Sequence, residues 1–291
     1  MQHEAKTVQA TYEDGTTGER ILQFPIKEKE KVYIIGTAST KDLVPWGDTT
    51  AEFWGVNNLY GVQFPGMHYD RWFEIHNIWQ DPTSKKLLRR GTEDFRGQPV
   101  LDYLNGVAKL GCTVYMQKHW PDLIPYSIQY PLPEIVQWFK DKLSLDQTIC
   151  RYLTNTITYE IVLAIYLGFK HIEIWGVDMQ AGTEYAGQRP SCEFWLGIAA
   201  GMGITIHIPE QADLLKCRFI YGFEEKQQDE FRAKLEKLRV DMKTKRRETE
   251  SRHAVDSQAI QQYLGGESVL SEVQKIWTNL GDDLMLQKRG S

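Results

Sequence analysis

Glu74 and His76 are the residues best spaced to do chemistry, in the segment Asp-Arg-Trp-Phe-Glu-Ile-His at 70–76. Read as a strand, its alternation sends Arg71, Phe73 and Ile75 to one face and Trp72, Glu74 and His76 to the other. A carboxylate then lies beside an imidazole, which orients the ring and favours its charged form, as general acid or base work requires. A structural hydrogen bond at a strand end would use the same spacing. Asp178 ends a second apolar run, Ile-Glu-Ile-Trp-Gly-Val-Asp, before a polar loop with Glu184, Tyr185, Gln188, Arg189 and Ser191. An acid there could hold a ribose hydroxyl or act as an alternate base. Arg189 could meet a phosphate bidentately. The plainer alternative is that Asp178 caps a turn and Arg189 pairs with Glu184.

Gly36, Thr37, Ala38, Ser39 and Thr40 follow the apolar run Lys-Val-Tyr-Ile-Ile. A glycine at a strand end lets backbone approach a ligand, and hydroxyls with free amides can hold phosphate. The later glycines and lysine of the dinucleotide and Walker loops are missing, so a simple turn fits as well. Asn57 and Asn58 could grip a base or ribose, or could merely end their strand. Thr154, Asn155 and Thr156 open an apolar helix, one hydroxyl serving as its N-cap, with Thr154 a candidate ligand contact. Gln117 and His119 follow a further strand and could line the same rim. No Ser/His/Asp order, His-Glu-x-x-His or Cys-x-x-Cys occurs, so covalent catalysis has no support and no metal motif is present, while carboxylates alone leave use of a metal open. The widely separated Cys112, Cys150, Cys192 and Cys217 read as reduced buried thiols.

These residues need a scaffold that brings strand ends together. Strands are expected over 31–36, 52–58, 70–76, 112–117, 171–178 and 204–209, with a helix within 92–111, stopped at Gly111, and helices over 154–168 and 193–203. Helix-to-strand steps with short joints make an α/β fold, a Rossmann-like mostly parallel sheet with helices on both faces. In such sheets ligands sit at the carboxyl ends of the strands, beside the reversal of strand order. Four prolines, Pro121, Pro125, Pro131 and Pro133, predict an ordered loop over 119–139. Residues 1–30 read as an arm or edge hairpin, and 31–222 as the Rossmann-like domain. Residues 223–291 read as a helical hairpin arm, broken at Gly265-Gly266, whose narrow apolar stripe calls for a partner such as a second copy.

The chain has 291 residues, 42% hydrophobic and 25% charged, with 34 basic and 39 acidic side chains and a net charge of −5. That balance excludes a disordered or collagen-like chain and gives no global field for nucleic acid, leaving only a local contact open. No run reaches the roughly 18 apolar residues of a membrane span. The polar start lacks a signal peptide's apolar core, so a cytoplasmic protein is expected.

The motifs Ile-Ile-Gly-Thr-Ala-Ser-Thr, Pro-Trp-Gly-Asp, Trp-Gly-Val-Asn-Asn, Asp-Arg-Trp-Phe-Glu-Ile-His and Trp-Gly-Val-Asp-Met through Glu184-Tyr185 to Gln188-Arg189 together resemble a family of bacteriophage proteins, over about 31–222. More distantly, the strand, glycine loop and Asn-ending strand are similar to a domain of unknown function related to pterin pyrophosphokinases, and to bacterial sialyltransferases that use a CMP-sugar. The resemblance implies a nucleotide or nucleotide-sugar site lined by Gly36, Ser39 and Asn57 or Asn58. It also implies a phage protein working in the host cytoplasm. Thr37-Ala38-Ser39 stands where those sialyltransferases carry Asn-Gly-Pro-Ser, so the donor stays open. The expected function is a glycosyl-transferring enzyme with His76, Glu74 and Asp178 as catalytic groups. The alternatives are a protein that sequesters a nucleotide without turnover and a virion or assembly component with an idle site.

Overall fold

The computed structural model describes residues 3–11, 17–25, 27–57, 59–61, 66–179, 187–217, 220–252 and 257–287. The chain divides into two compact units, Met1–Leu215 and Lys216–Ser291. The first begins with an antiparallel pair, β1 (His3–Thr11) and β2 (Thr17–Pro25). Then come β3 (Lys31–Ile35), β4 (Ala51–Val56) and β5 (Arg71–Glu74). Two small hairpins follow, β6 (Ile78–Gln80) with β7 (Leu87–Arg89), and β8 (Asp94–Phe95) with β9 (Gln98–Pro99). After α1 (Val100–Ala108) come β10 (Thr113–Met116), β11 (Ser127–Gln129), α2 (Leu132–Leu143), α3 (Gln147–Cys150) and α4 (Thr156–Tyr166). The unit ends with β12 (His171–Trp175), α5 (Arg189–Gly201) and β13 (Thr205–His207).

Seven of these strands form one sheet in the order β11-β10-β5-β4-β3-β12-β13, every described pair parallel. The fold is therefore α/β and Rossmann-like. The chain enters the sheet at β3, steps outward to β11, then crosses back to lay β12 on the other side of β3. Order reverses between β3 and β12, where a crevice at the carboxyl ends is expected. Every residue of β4 is buried, as a strand covered on both faces requires. Trp54 packs 5.2 Å from Phe73, which stacks 4.9 Å from Tyr115, so aromatic contacts run from strand to strand. α4 buries Ile157, Ile161, Val162, Leu163 and Ile165, holding its amino end at the crevice.

Several expectations need correction. Residues 119–139 are not all loop: β11 forms, and α2 starts at Leu132 with Pro131 as N-cap and a proline in its first turn. The amide a proline lacks is not needed there. The helix read within 92–111 is α1, preceded by the β8–β9 pair that turns at Arg96-Gly97. The N-cap of α4 is the amide of Asn155, accepting from Thr158 N at 3.1 Å, and not a hydroxyl. Cys217 is exposed, unlike Cys112, Cys150 and Cys192. Burial pushes the thiols of Cys112 and Cys192 up to about 12 and about 11.

The second unit pairs α6 (Glu225–Arg252) with α7 (Ser257–Gln287). Gly265 and Gly266 do not break α7; the helix runs through them. A methyl group at Gly266 would lie 3.1 Å from Met242 Sδ, so this glycine sits where α6 comes close. None of the described side chains of this unit is fully buried.

Candidate functional site

A cleft of about 770 Å³ opens over the carboxyl ends of β3, β4, β5, β10 and β12, at the reversal of strand order. Gly36, Thr37 and Ala38 line it after β3, Asn57 after β4, His76 and Asn77 after β5, Gln117 after β10, and Gly176 to Met179 after β12. Thr154 to Ile157 close it with the start of α4, and Arg89, Arg90, Phe95 and Arg96 reach in from the hairpins. A larger hollow of about 910 Å³ lies along α2, α3 and α4, around Trp138, Tyr159 and Tyr166. Its described lining holds no histidine and no buried ion pair, whereas the smaller cleft is lined by His76 and Arg89.

The two-residue period of β5 puts Glu74 and His76 on one face, and the structure joins them. Glu74 is fully buried and accepts from His76 N at 3.1 Å, His76 Nδ1 at 2.6 Å, Arg89 Nε at 3.0 Å and the Tyr103 hydroxyl at 2.5 Å. Burial alone raises a carboxyl pKa, but here His76, Arg89 and Tyr103 together hold Glu74 below its ordinary value. Burial and the carboxylate beside it push the Tyr103 phenol far up, so it stays a donor. Arg89 Nη2 also lies 2.6 Å from His76 Nδ1 and 3.4 Å from Asn57 Oδ1. One ring nitrogen cannot donate to Glu74 and accept from Arg89 together; the carboxylate decides, and the proton belongs on Nδ1. Nε2, with no partner among the described residues, is the edge available to a ligand. The His76 side chain is 24% exposed, against 0% for Glu74, so the ring borders the cleft and the carboxylate holds it from beneath.

Across the crevice, Gly36 N donates to Trp175 O at 2.7 Å and Ala38 N to Gly176 O at 2.8 Å, tying the two loops at their roots. A side chain on either Gly36 or Gly176 would strike the other's carbonyl oxygen, so both glycines serve this mutual approach. Thr40 Oγ1 accepts from Gly176 N at 2.8 Å and donates to Asp178 Oδ1 at 2.7 Å, while Ser39 Oγ donates to Asp178 Oδ2 at 3.2 Å. The hydroxyls expected to meet phosphate thus fix Asp178, and Ser39 does not line the cleft. The starts of α4 and α5 are stitched together, with Thr154 Oγ1 2.6 Å from Ser191 Oγ and Asn155 Nδ2 donating to Gln188 O at 3.1 Å.

Gly36, Thr37, Asn57, His76, Thr154, Asp178 and Gln188 therefore share one cleft, with Glu74 directly beneath it. Arg189 is not among its lining residues: Nε donates to Glu193 at 2.7 Å and Nη1 to Met179 O at 3.3 Å. Asn58, Glu184 and Tyr185 lie outside the described residues. Gln117 lines the cleft and donates to Ile75 O at 2.9 Å, whereas His119 turns to Ser127 Oγ at 2.9 Å. The residues missed from sequence are Arg89, Arg90 and Arg96. Their signal was the repeated Arg-Gly pair at 90–91 and 96–97, a turn signature on a basic stretch. Among the described residues no group of His, Cys, Asp and Glu could hold a metal ion, and no helix is long and apolar enough to cross a membrane.

No family model and no curated protein matches the chain. Among solved structures it is similar to the sialyltransferase CstII from Campylobacter jejuni in complex with CMP-3FNeuAc, at 12% identity over 65% of this chain and 88% of that one, with a TM-score of 0.39. The CstII complex with cytidine-5'-monophosphate matches at 14% identity, over 61% of this chain and 78% of that one, with a TM-score of 0.38. An apo α-2,3-sialyltransferase from Campylobacter jejuni matches at 12% identity, over 62% and 76% of the two chains, with a TM-score of 0.38.

Proposed function

We propose that the cleft binds a nucleotide-sugar and transfers its glycosyl group, with His76 as the general base. The observation that carries this reading is a histidine anchored through Nδ1 on a buried Glu74–Arg89 pair, its other edge turned to an open cleft at the sheet's reversal point. In the transfer, an acceptor oxygen bonds to the anomeric carbon as the bond from that carbon to the donor's phosphate oxygen breaks. The phosphate leaves with the electron pair, and the acceptor's proton passes to His76 Nε2. Glu74 stabilises the imidazolium that results. Asn57 and Asp178 offer polar contacts for the nucleoside, the latter held in place by Ser39 and Thr40. In this reading the protein is a phage-encoded enzyme of the host cytoplasm whose partner is a small nucleotide.

The test is donor consumption across a panel of nucleotide-sugars, followed by mass spectrometry, for the full chain and His76→Ala. The variant should lose about 10²- to 10⁴-fold in turnover with an unchanged melting temperature. Equal consumption by the two proteins would remove His76 from the reaction. Binding of donors without consumption by the unaltered chain would replace the enzyme by a sequestering protein.

A further inference from the structure

Two of the cleft's arginines stand on a device that the transfer step does not use. Arg90 and Arg96 each precede a glycine, and each Arg-Gly pair has positive φ at both residues: 53° and 86° at 90–91, 52° and 82° at 96–97. Backbone of that sign at both central positions makes the tight hairpin turn whose twist matches its flanking strands. The first is closed by the bridge between Arg89 and Thr92, the second by the pairing of Phe95 with Gln98. Ordinary side chains avoid this backbone region, so two arginines placed there need a reason other than local preference.

Their charge is the reason the cleft suggests. Arg89, Arg90 and Arg96 all line it, but Arg89 is buried and spends its charge on Glu74. Arg90 and Arg96 are exposed. The acid among the described lining of the cleft is Asp178, already receiving two hydroxyls. A chain of net charge −5 thus brings two exposed arginines, six residues apart on neighbouring turns, to the lining of a nucleotide-sized hollow. Arg96 also lies over the Phe95 ring at 5.7 Å, and Phe95 carries Arg89 at 3.9 Å, which ties the turns to the buried pair beneath.

We propose that Arg90 and Arg96 form a clamp for two linked phosphates, so that the cleft prefers a nucleoside diphosphate to a monophosphate as the leaving group of its donor. Each guanidinium can take one phosphate through paired hydrogen bonds, and a single phosphate would leave one of them without its ligand. Calling the ligand a donor rests on the glycosyl-transfer reading; the preference for two linked phosphates does not.

The experiment titrates the full chain calorimetrically with inorganic pyrophosphate and, separately, with inorganic phosphate. The variants are Arg90→Asn, Arg96→Asn and the double change, since asparagine accepts the left-handed backbone while removing the guanidinium. Pyrophosphate should bind at least about tenfold tighter than phosphate, and each single variant should weaken pyrophosphate roughly tenfold. Pyrophosphate binding no tighter than phosphate, or unchanged in the double variant, overturns the clamp. Should an asparagine variant fail to fold, Arg90→Lys with Arg96→Lys decides: charge kept and fork lost should still weaken pyrophosphate, and equal affinity overturns the proposal. The two readings fail separately. Arginine-dependent pyrophosphate binding with no donor consumed would end the enzyme reading alone, and His76-dependent turnover with arginine-independent binding would end the clamp alone.

Discussion

The sheet carries two buried Glu–Arg–Tyr clusters, at opposite ends and on opposite faces. At the amino ends of the strands, Arg71 donates to Glu52 Oε2 at 2.8 Å and to the Tyr115 hydroxyl at 2.9 Å, and its guanidinium lies 5.2 Å from the Trp54 ring. At the carboxyl ends, Arg89 donates to Glu74 at 3.0 Å, Tyr103 donates to the same carboxylate at 2.5 Å, and the guanidinium lies over Phe95. The ingredients are alike and the burial is alike. What differs is the last ligand of the carboxylate: Glu52 receives the indole N–H of Trp54 at 2.9 Å and the backbone of Glu28 at 3.1 Å, whereas Glu74 receives a histidine that faces a cleft. The first cluster is closed on itself. The second passes its negative charge to a group that can meet a ligand, so position at the sheet's carboxyl end makes a structural motif available to chemistry.

Removing either arginine should have the largest effect. Arg71→Met and Arg89→Met each strand a buried carboxylate, and each should cost about 3–5 kcal/mol in urea unfolding. The two should part in activity: Arg71→Met keeps donor consumption per folded molecule, and Arg89→Met loses it because His76 is no longer held. Equal activity losses would mean that both clusters serve only the fold.

A third buried carboxylate calibrates the pair. Glu160 on α4 is fully buried, and neither oxygen has a partner among the described residues; burial pushes its pKa well up. A raised pKa gives stability that is whole below the unfolded value of about 4.3 and is lost as pH climbs through the folded one. Glu160→Met should therefore stabilise by about 1–3 kcal/mol at pH 7, with the gain fading towards pH 4. Glu74 has the opposite sign: its pKa is held down, so its contribution is whole above about 4.3 and drains as pH falls further. Glu74→Gln should flatten that acid limb. Unfolding free energies across pH 3 to 8 check both, and parallel profiles for the two variants would show that Arg89 does not set Glu74 apart.

Much of the cleft was legible because strand alternation is a local rule. The pattern of Asp-Arg-Trp-Phe-Glu-Ile-His put Glu74 beside His76, and the apolar runs ending at Gly36, Asn57 and Asp178 marked strand ends that a parallel sheet collects on one side. Arg89 was not legible, since its bond to Glu74 crosses an irregular insertion with no period to read. Ser39 misled because a hydroxyl after a strand has the same local pattern whether it meets phosphate or Asp178. Proline and glycine misled when read without position: a proline in the first turn lets α2 begin, and Gly266 lies within α7 where Met242 comes close.

The finest cut between the clusters is their tyrosines. Tyr115→Phe removes the acceptor of one Arg71 hydrogen bond, and Tyr103→Phe removes one donor to Glu74. Each should cost about 0.5–1.5 kcal/mol, the ordinary worth of a hydrogen bond. Their influence on the cleft should differ in kind. Without the Tyr103 donor, Glu74 loses one of the contacts that offset burial, its pKa rises, and the acid limb of donor turnover moves to higher pH. Tyr115 bonds to Arg71 and packs on Phe73 and Tyr130, none of them among the described cleft residues, so Tyr115→Phe should leave that limb in place. Measured pH profiles of kcat for the two variants decide the matter. A shift common to both would mean that the clusters communicate through the sheet, and a shift in neither would mean that the carboxylate beneath His76 does not govern its work.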